Sequence, residues 1–121
     1  MGLPMAPPEG APPARAPAAR GFHDEALLRK IEVHLEWLRT DGKGGARADF
    51  RGAALLYANF FRANLERADF SGADLRGANV QWINLRGADL MGANLEGADF
   101  FQSGLSGANL KNVSARGASF F

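Results

Sequence analysis

The chain has 121 residues, no cysteine, and 14 Lys and Arg against 13 Asp and Glu, for a formal net charge of +1. That length gives room for one modest domain. The missing cysteines exclude disulfides and thiolate metal sites and permit a reducing compartment, and the balanced charge lacks the basic excess expected of a nucleic-acid binder. No apolar run approaches a membrane span and no signal-type apolar segment precedes the rest, so a soluble, cytoplasmic protein without membrane contact is expected.

Residues 1–21 hold all six prolines, many alanines and only three charges, Glu9, Arg15 and Arg20. Such a composition predicts a disordered tail or linker. Residues 22–45 come next. Within them His23 to Thr40 places Leu27, Leu28, Ile31, Leu35 and Leu38 at helical spacing, with Asp24 and Glu25 at the start. Asp41-Gly42 and Gly44-Gly45 supply the stop. The expectation is one amphipathic helix and a Gly-rich hinge, with the helix covering the open end of whatever follows. Trp37 is expected to pack on the first coil of that structure, with His34 as a structural residue beside it.

Residues 46–121 carry a five-residue motif without a slip from Ala48 onward. A Leu or Phe falls at every fifth place from Phe50 to Phe120, with Val80 and Ala115 as exceptions, and an alanine stands two places earlier except at Ile83, Ser103 and Val113. A helix turns about 100° per residue, so a period of five steps its apolar positions by about 140° and never forms one buried stripe. A flat strand fails too, because an odd period throws alternate centres onto opposite faces. A chain that bends once per unit works. The alanine and the centre, two apart, point inward, and a turn after the centre starts a new side. Four sides close a square coil of twenty residues. Gly at the fifth position (52, 72, 77, 87, 92, 97, 107, 117) suits a turn that needs unusual dihedrals.

The units ADFRG, ANLER, ADLRG and ANLEG resemble the A-(D/N)-(L/F)-X-X motif of the pentapeptide repeat family. The resemblance covers residues 48–121 and implies an all-β solenoid, a right-handed quadrilateral β-helix of about four coils capped by the N-terminal α-helix. Between three and four coils at about 4.8 Å each would span roughly 15–20 Å. Ala54, Gly104, Ser114 and Ser119 depart from the Asp/Asn position, mostly near the end. His34, Trp37-Leu38, Gly42 and Gly45-Ala46-Arg47-Ala48-Asp49 also resemble a leader seen before some bacterial arrays, which implies no activity.

Chemistry is hard to find. His23 and His34 have no companion ligand at metal spacing, and the serines of the array have no histidine near them in sequence to activate them. The regular acids (Asp49, Asp69, Asp74, Asp89, Asp99) occupy a position where Asn substitutes freely along this same chain, which points to hydrogen-bonded turn support instead of acid–base work. No phosphate-cradling Gly-rich string is present. No catalytic residue, metal or cofactor is expected, and the protein is read as a non-enzyme. Arg62, Arg67, Arg76 and Arg86 are read as surface charges paired with Glu66, Asp69 and Asp74, in preference to a phosphate track.

Function is sought in the outward positions. Folded at twenty residues per coil, Phe61, Trp82, Phe101 and Phe121 share one outer side with Arg62, and Tyr57 lies at the adjoining corner. An exposed aromatic patch marks an interface. Either the N-terminal helix lies along it, burying Trp82 against Ile31 and Leu35, or it takes a protein partner or a second copy. Phe120-Phe121 leaves the last coil without a polar cap, which favours an end-to-end homodimer or a longer parent protein. The leading reading is therefore a protein–protein interaction scaffold. The alternative, drawn from the family resemblance, is a DNA-mimicking regulator of a type II topoisomerase (gyrase), a role that needs a longer and more acidic rod.

Overall fold

Asp24 opens the first element of the computed structural model, which describes residues 24–120. The predicted tail, 1–21, lies outside the described residues. Helix α1 runs Glu25–Arg39, with the Asp24 carboxylate accepting the N–H groups of Ala26 and Leu27. Glu25 in the first turn and Arg39 in the last both suit the helix dipole. The helix stops at Thr40, whose hydroxyl donates to the Glu36 carbonyl and accepts from the Gly44 N–H.

The chain then doubles back along α1. Gly45 has φ +67°, and a Cβ there would sit 2.3 Å from the Val33 carbonyl oxygen and 2.6 Å from the Trp37 nitrogen. Only glycine fits so close an approach. Ala46 N–H reaches the Val33 carbonyl at 3.3 Å, so the predicted hinge is a packed corner that leads straight into the coils.

From Asp49 onward the backbone coils with a repeat of twenty. Parallel bridges link Asp49, Asp69, Asp89 and Asn109 in one column, and Ala54, Asp74, Asn94 and Ser114 in the next. Asn59, Asn79, Asp99 and Ser119 form the third, and Asn64, Asn84 and Gly104 the fourth. Each five-residue side leaves one bridging residue between two turns, so isolated bridges appear instead of continuous strands. Coils are tied by bonds such as Phe70 N–H to Asp89 O (2.7 Å) and Gly72 N–H to Met91 O (2.8 Å). Within a coil, Ala73 N–H closes a turn on Phe70 O at 2.9 Å. Positive φ falls on the second central residue of every such turn and not the first, the type II arrangement.

The alanines and centres face inward as the pattern requires. Phe50 and Phe70 stack at 4.8 Å, and Phe60 meets both edge-on at 5.7 Å. Four of the pattern's five exceptions come in neighbouring pairs, Ser103 standing alone. Val80, small for a centre, precedes Ile83, large for an alanine site, and Ala115 accompanies Val113. Each pair keeps the enclosed volume nearly constant, which a close-packed interior demands. Where Gly104, Ser114 and Ser119 replace Asp or Asn, the bridges still form.

Helix α1 sits against the first coil through Leu27, which joins the buried core, and Ile31, which packs on it. The alternative placement along the aromatic side is not what the chain adopts: Trp82 keeps 46% of its surface exposed. The residues α1 does touch are on the first coil. His34 bonds to Ala48 and Glu66, and Lys30 donates to the Asp49 carbonyl at 2.8 Å.

Candidate functional site

The third column of turns, after Phe60, Val80 and Phe100, carries the largest outward side chains. Arg62 holds its guanidinium over both the Phe61 ring (5.4 Å) and the Trp82 ring (5.5 Å). Trp82 meets Phe101 edge-to-face, with centroids 5.9 Å apart and planes at 79°. Phe101 is 37% exposed and Phe61 half-buried. Phe61, Arg62, Trp82 and Phe101 thus form one continuous strip across the coils. Beneath it, Gln81 donates to the Asp99 carboxylate at 2.6 Å and fills the place between the two phenylalanines.

Backbone strain coincides with this strip. Arg62, Trp82 and Gln102 adopt φ of 63°, 60° and 56°. The other three columns fill the same turn position mainly with glycine. Column three alone has neither glycine nor asparagine there. A bulky residue in the left-handed region costs roughly 1–2 kcal/mol. The chain therefore holds three large side chains on this side at a cost that glycine would avoid. The sequence carries the signal as gaps in the Gly series at 62, 82 and 102.

Two other predicted interface residues fall differently. Tyr57 is 39% exposed in the adjoining column, where its ring lies against Gly77 and a Cβ at Gly77 would meet it at 2.6 Å. Among the described residues no aromatic or cation–π contact joins Tyr57 to the strip. Phe121 lies outside the described residues.

The arginine pairing needs correcting. Of the four arginines read as ion-paired, only Arg76 forms the pair, with Asp74 at 2.7 Å. Arg62 stacks in the aromatic strip, Arg67 lies over the Trp37 ring at 5.1 Å, and Arg86 donates to Asn84 at 3.3 Å. Planar guanidinium favours an aromatic face once a ring is in reach. A second pair, Arg51 with Asp49, forms instead and holds the Asp49 carboxyl well below the usual carboxylate range.

The regular acids do what the Asp/Asn exchange implied. From Asp49 to Asn109, every Asp or Asn of the bridging position accepts the backbone N–H two residues on, through its Oδ1. Asn performs this as well as Asp, so no set pKa is required. His34 is fully buried and stacks on Trp37 at 5.4 Å. Its Nδ1 accepts the Ala48 N–H at 2.9 Å, and its Nε2 faces the Glu66 carbonyl at 2.8 Å. A carbonyl can only accept, so the proton resides on Nε2 and the ring is neutral. Burial pushes its pKa below the ordinary value. Among the described residues no group of His, Cys, Asp and Glu is placed to hold a metal, and no helix is long and apolar enough to cross a membrane.

A family model for pentapeptide repeats matches residues 46–81 and 81–103 with eight copies of the repeat. A pentapeptide repeat protein from the Arabidopsis thaliana thylakoid lumen is 43% identical over 56% of this chain and 48% of its own, with a TM-score of 0.55. This chain therefore spans about half of that relative's length. A pentapeptide repeat protein from Nostoc PCC 7120 is 37% identical over 69% of this chain and 70% of its own, at a TM-score of 0.38. The plasmid-mediated fluoroquinolone resistance protein QnrB1 is 20% identical over 66% of this chain and 50% of its own, at a TM-score of 0.39. No individual curated protein matches the sequence.

Proposed function

Because this chain belongs to the pentapeptide repeat family, whose arrays coil as right-handed quadrilateral β-helices, we propose that it is a non-enzymatic scaffold that binds a protein through its aromatic side. Helix α1 acts as the N-terminal cap and keeps the first coil's edge from pairing with other chains. The strip Phe61–Arg62–Trp82–Phe101 is the binding surface. The observation that carries this reading is the glycine-free turn column: Arg62, Trp82 and Gln102 occupy left-handed backbone that glycine would fill without strain. The other columns hold one such non-glycine residue each, Asn112, Tyr57 and Arg67; strain that fills a whole surface column is a mark of use. Trp and Arg are also the side chains that most often dominate binding energy at interfaces.

The gyrase-regulator reading has less support. A surface that imitates duplex DNA needs free, clustered negative charge. Here the regular acids serve as turn acceptors, and Asp49 and Asp74 are neutralised by Arg51 and Arg76.

Affinity capture from the source cell tests the proposal, with wild type run beside Trp82→Asn/Phe101→Ser and a control, Met91→Ser, on another side. A stoichiometric partner, a second copy of this chain included, is expected with wild type and the control and lost with the double variant. Retention by the double variant would remove the aromatic side from the account.

A further inference from the structure

Away from the aromatic strip, α1 and the chain that returns along it enclose a groove of about 490 Å³, open on one side. Ala26, Lys30 and Val33 follow one another along a single helix face at spacings of four and three. Gly45 lets the returning segment touch the helix backbone, and Ala46 and Ala48 then form the opposite wall. The lining is mostly apolar, and Val33 is exposed into solvent beside it.

The charges in the lining are mostly positive. Arg29, Lys30 and Arg47 stand there with one acid, Asp49. Both Asp49 oxygens are taken by Arg51 at 2.8 Å. Lys30 spends one proton on the Asp49 carbonyl, and Arg47 spends its Nε on the Arg67 carbonyl at 2.6 Å. The Lys30 ammonium also lies over the Phe50 ring at 5.3 Å, and the terminal nitrogens of Arg47 make no hydrogen bond among the described residues. Arg29 makes no side-chain hydrogen bond among the described residues.

We propose that this groove binds a single-chain amphipathic carboxylate, with its tail along Ala26, Val33 and Ala46 and its headgroup held by Arg29, Lys30 and Arg47. The volume falls within the roughly 300–1,000 Å³ typical of small-ligand pockets. Arg presents a planar fork matched to a carboxylate, and the rim charge is complementary to an anion and repels a cation. The site is independent of the partner surface, since Phe61, Arg62, Trp82 and Phe101 form the third column and none of them lines the groove.

Calorimetric titration of the full chain with dodecanoate, below its micellar concentration, tests this. Saturable one-to-one binding is expected, at least about tenfold tighter than for dodecyltrimethylammonium, which has the same tail and opposite charge. Val33→Glu and Arg29→Glu, both at exposed helix positions, should each weaken dodecanoate by about tenfold or more, with Met91→Glu unchanged. No saturable binding, equal affinity for the two head groups, or unaltered binding by both groove variants would overturn the assignment. The comparison of head groups uses wild-type protein, so it decides even if a variant misfolds.

Discussion

Trp82 and Phe101 meet nearly at right angles across successive coils, with ring centroids 5.9 Å apart, while the Trp82 backbone stands at φ 60°. The contact and the strain belong to one residue and act in opposite directions on the fold. An aromatic pair contributes about 0.5–1.5 kcal/mol, and a left-handed bulky residue costs roughly 1–2 kcal/mol. The Arg62 guanidinium over the same ring adds a further contact. Trp82→Asn, which tolerates that backbone, should therefore leave the thermal midpoint nearly unchanged. Asn112 already occupies the equivalent turn position at φ 62°. A fall of several degrees in a melting scan would show that Trp82 is retained for the fold and not for binding.

The glycine turns separate by space. Gly45→Ala would press a methyl group into the Val33 carbonyl at 2.3 Å and should prevent the corner from closing, with loss of α1 docking. Gly92→Ala meets nothing within 4 Å at φ 72°, so only the conformational cost of about 1–2 kcal/mol applies. Denaturant titration of the two variants should rank them in that order, with Gly77→Ala, which strikes the Tyr57 ring, between them.

His34 makes stability depend on pH. The unfolded chain takes up the proton near the ordinary value of 6.5, and the folded chain resists it because the ring is buried and Nδ1 is occupied by the Ala48 N–H. The unfolded state thus binds more protons as pH drops. Stability is full above about 6.5 and declines as pH falls below it. His34→Gln should flatten that decline in melting curves between about pH 7 and 5. His34→Ala should cost about 1–3 kcal/mol at neutral pH by leaving the Ala48 N–H unpaired.

Asp89 separates turn support from charge. Asp89→Asn keeps the acceptor for the Met91 N–H and should change stability by less than about 0.5 kcal/mol. Asp89→Ala removes it and should cost about 0.5–1.5 kcal/mol. An equal loss in both variants would mean that the carboxylate's charge matters after all.

The array was legible because one physical constraint repeats: a five-residue period admits only a chain that bends once per unit. The inward Ala and Leu/Phe and the twenty-residue coil follow from that, and the turn role of Asp/Asn follows from their free exchange along the chain. What was less legible depends on tertiary choice. Four arginines within 25 residues of sequence looked like partners for nearby acids, yet Arg62 and Arg67 found rings brought to them by the coil and by α1. The side on which α1 lies could not be read from its apolar face, because the open first coil and the aromatic strip both offer apolar surface. Gly45 and His34, which decide it, make local contacts that have no periodic signature. The strip itself was found from the twenty-residue fold-up, but its strain needed the backbone angles.

The most direct test of the binding surface places a photo-crosslinker in the living cell. Phe101 replaced by benzoylphenylalanine should yield one discrete crosslinked product on irradiation, and the same probe at Met91 on another side should yield none. Products of equal yield from both positions, or none from position 101, would contradict the account.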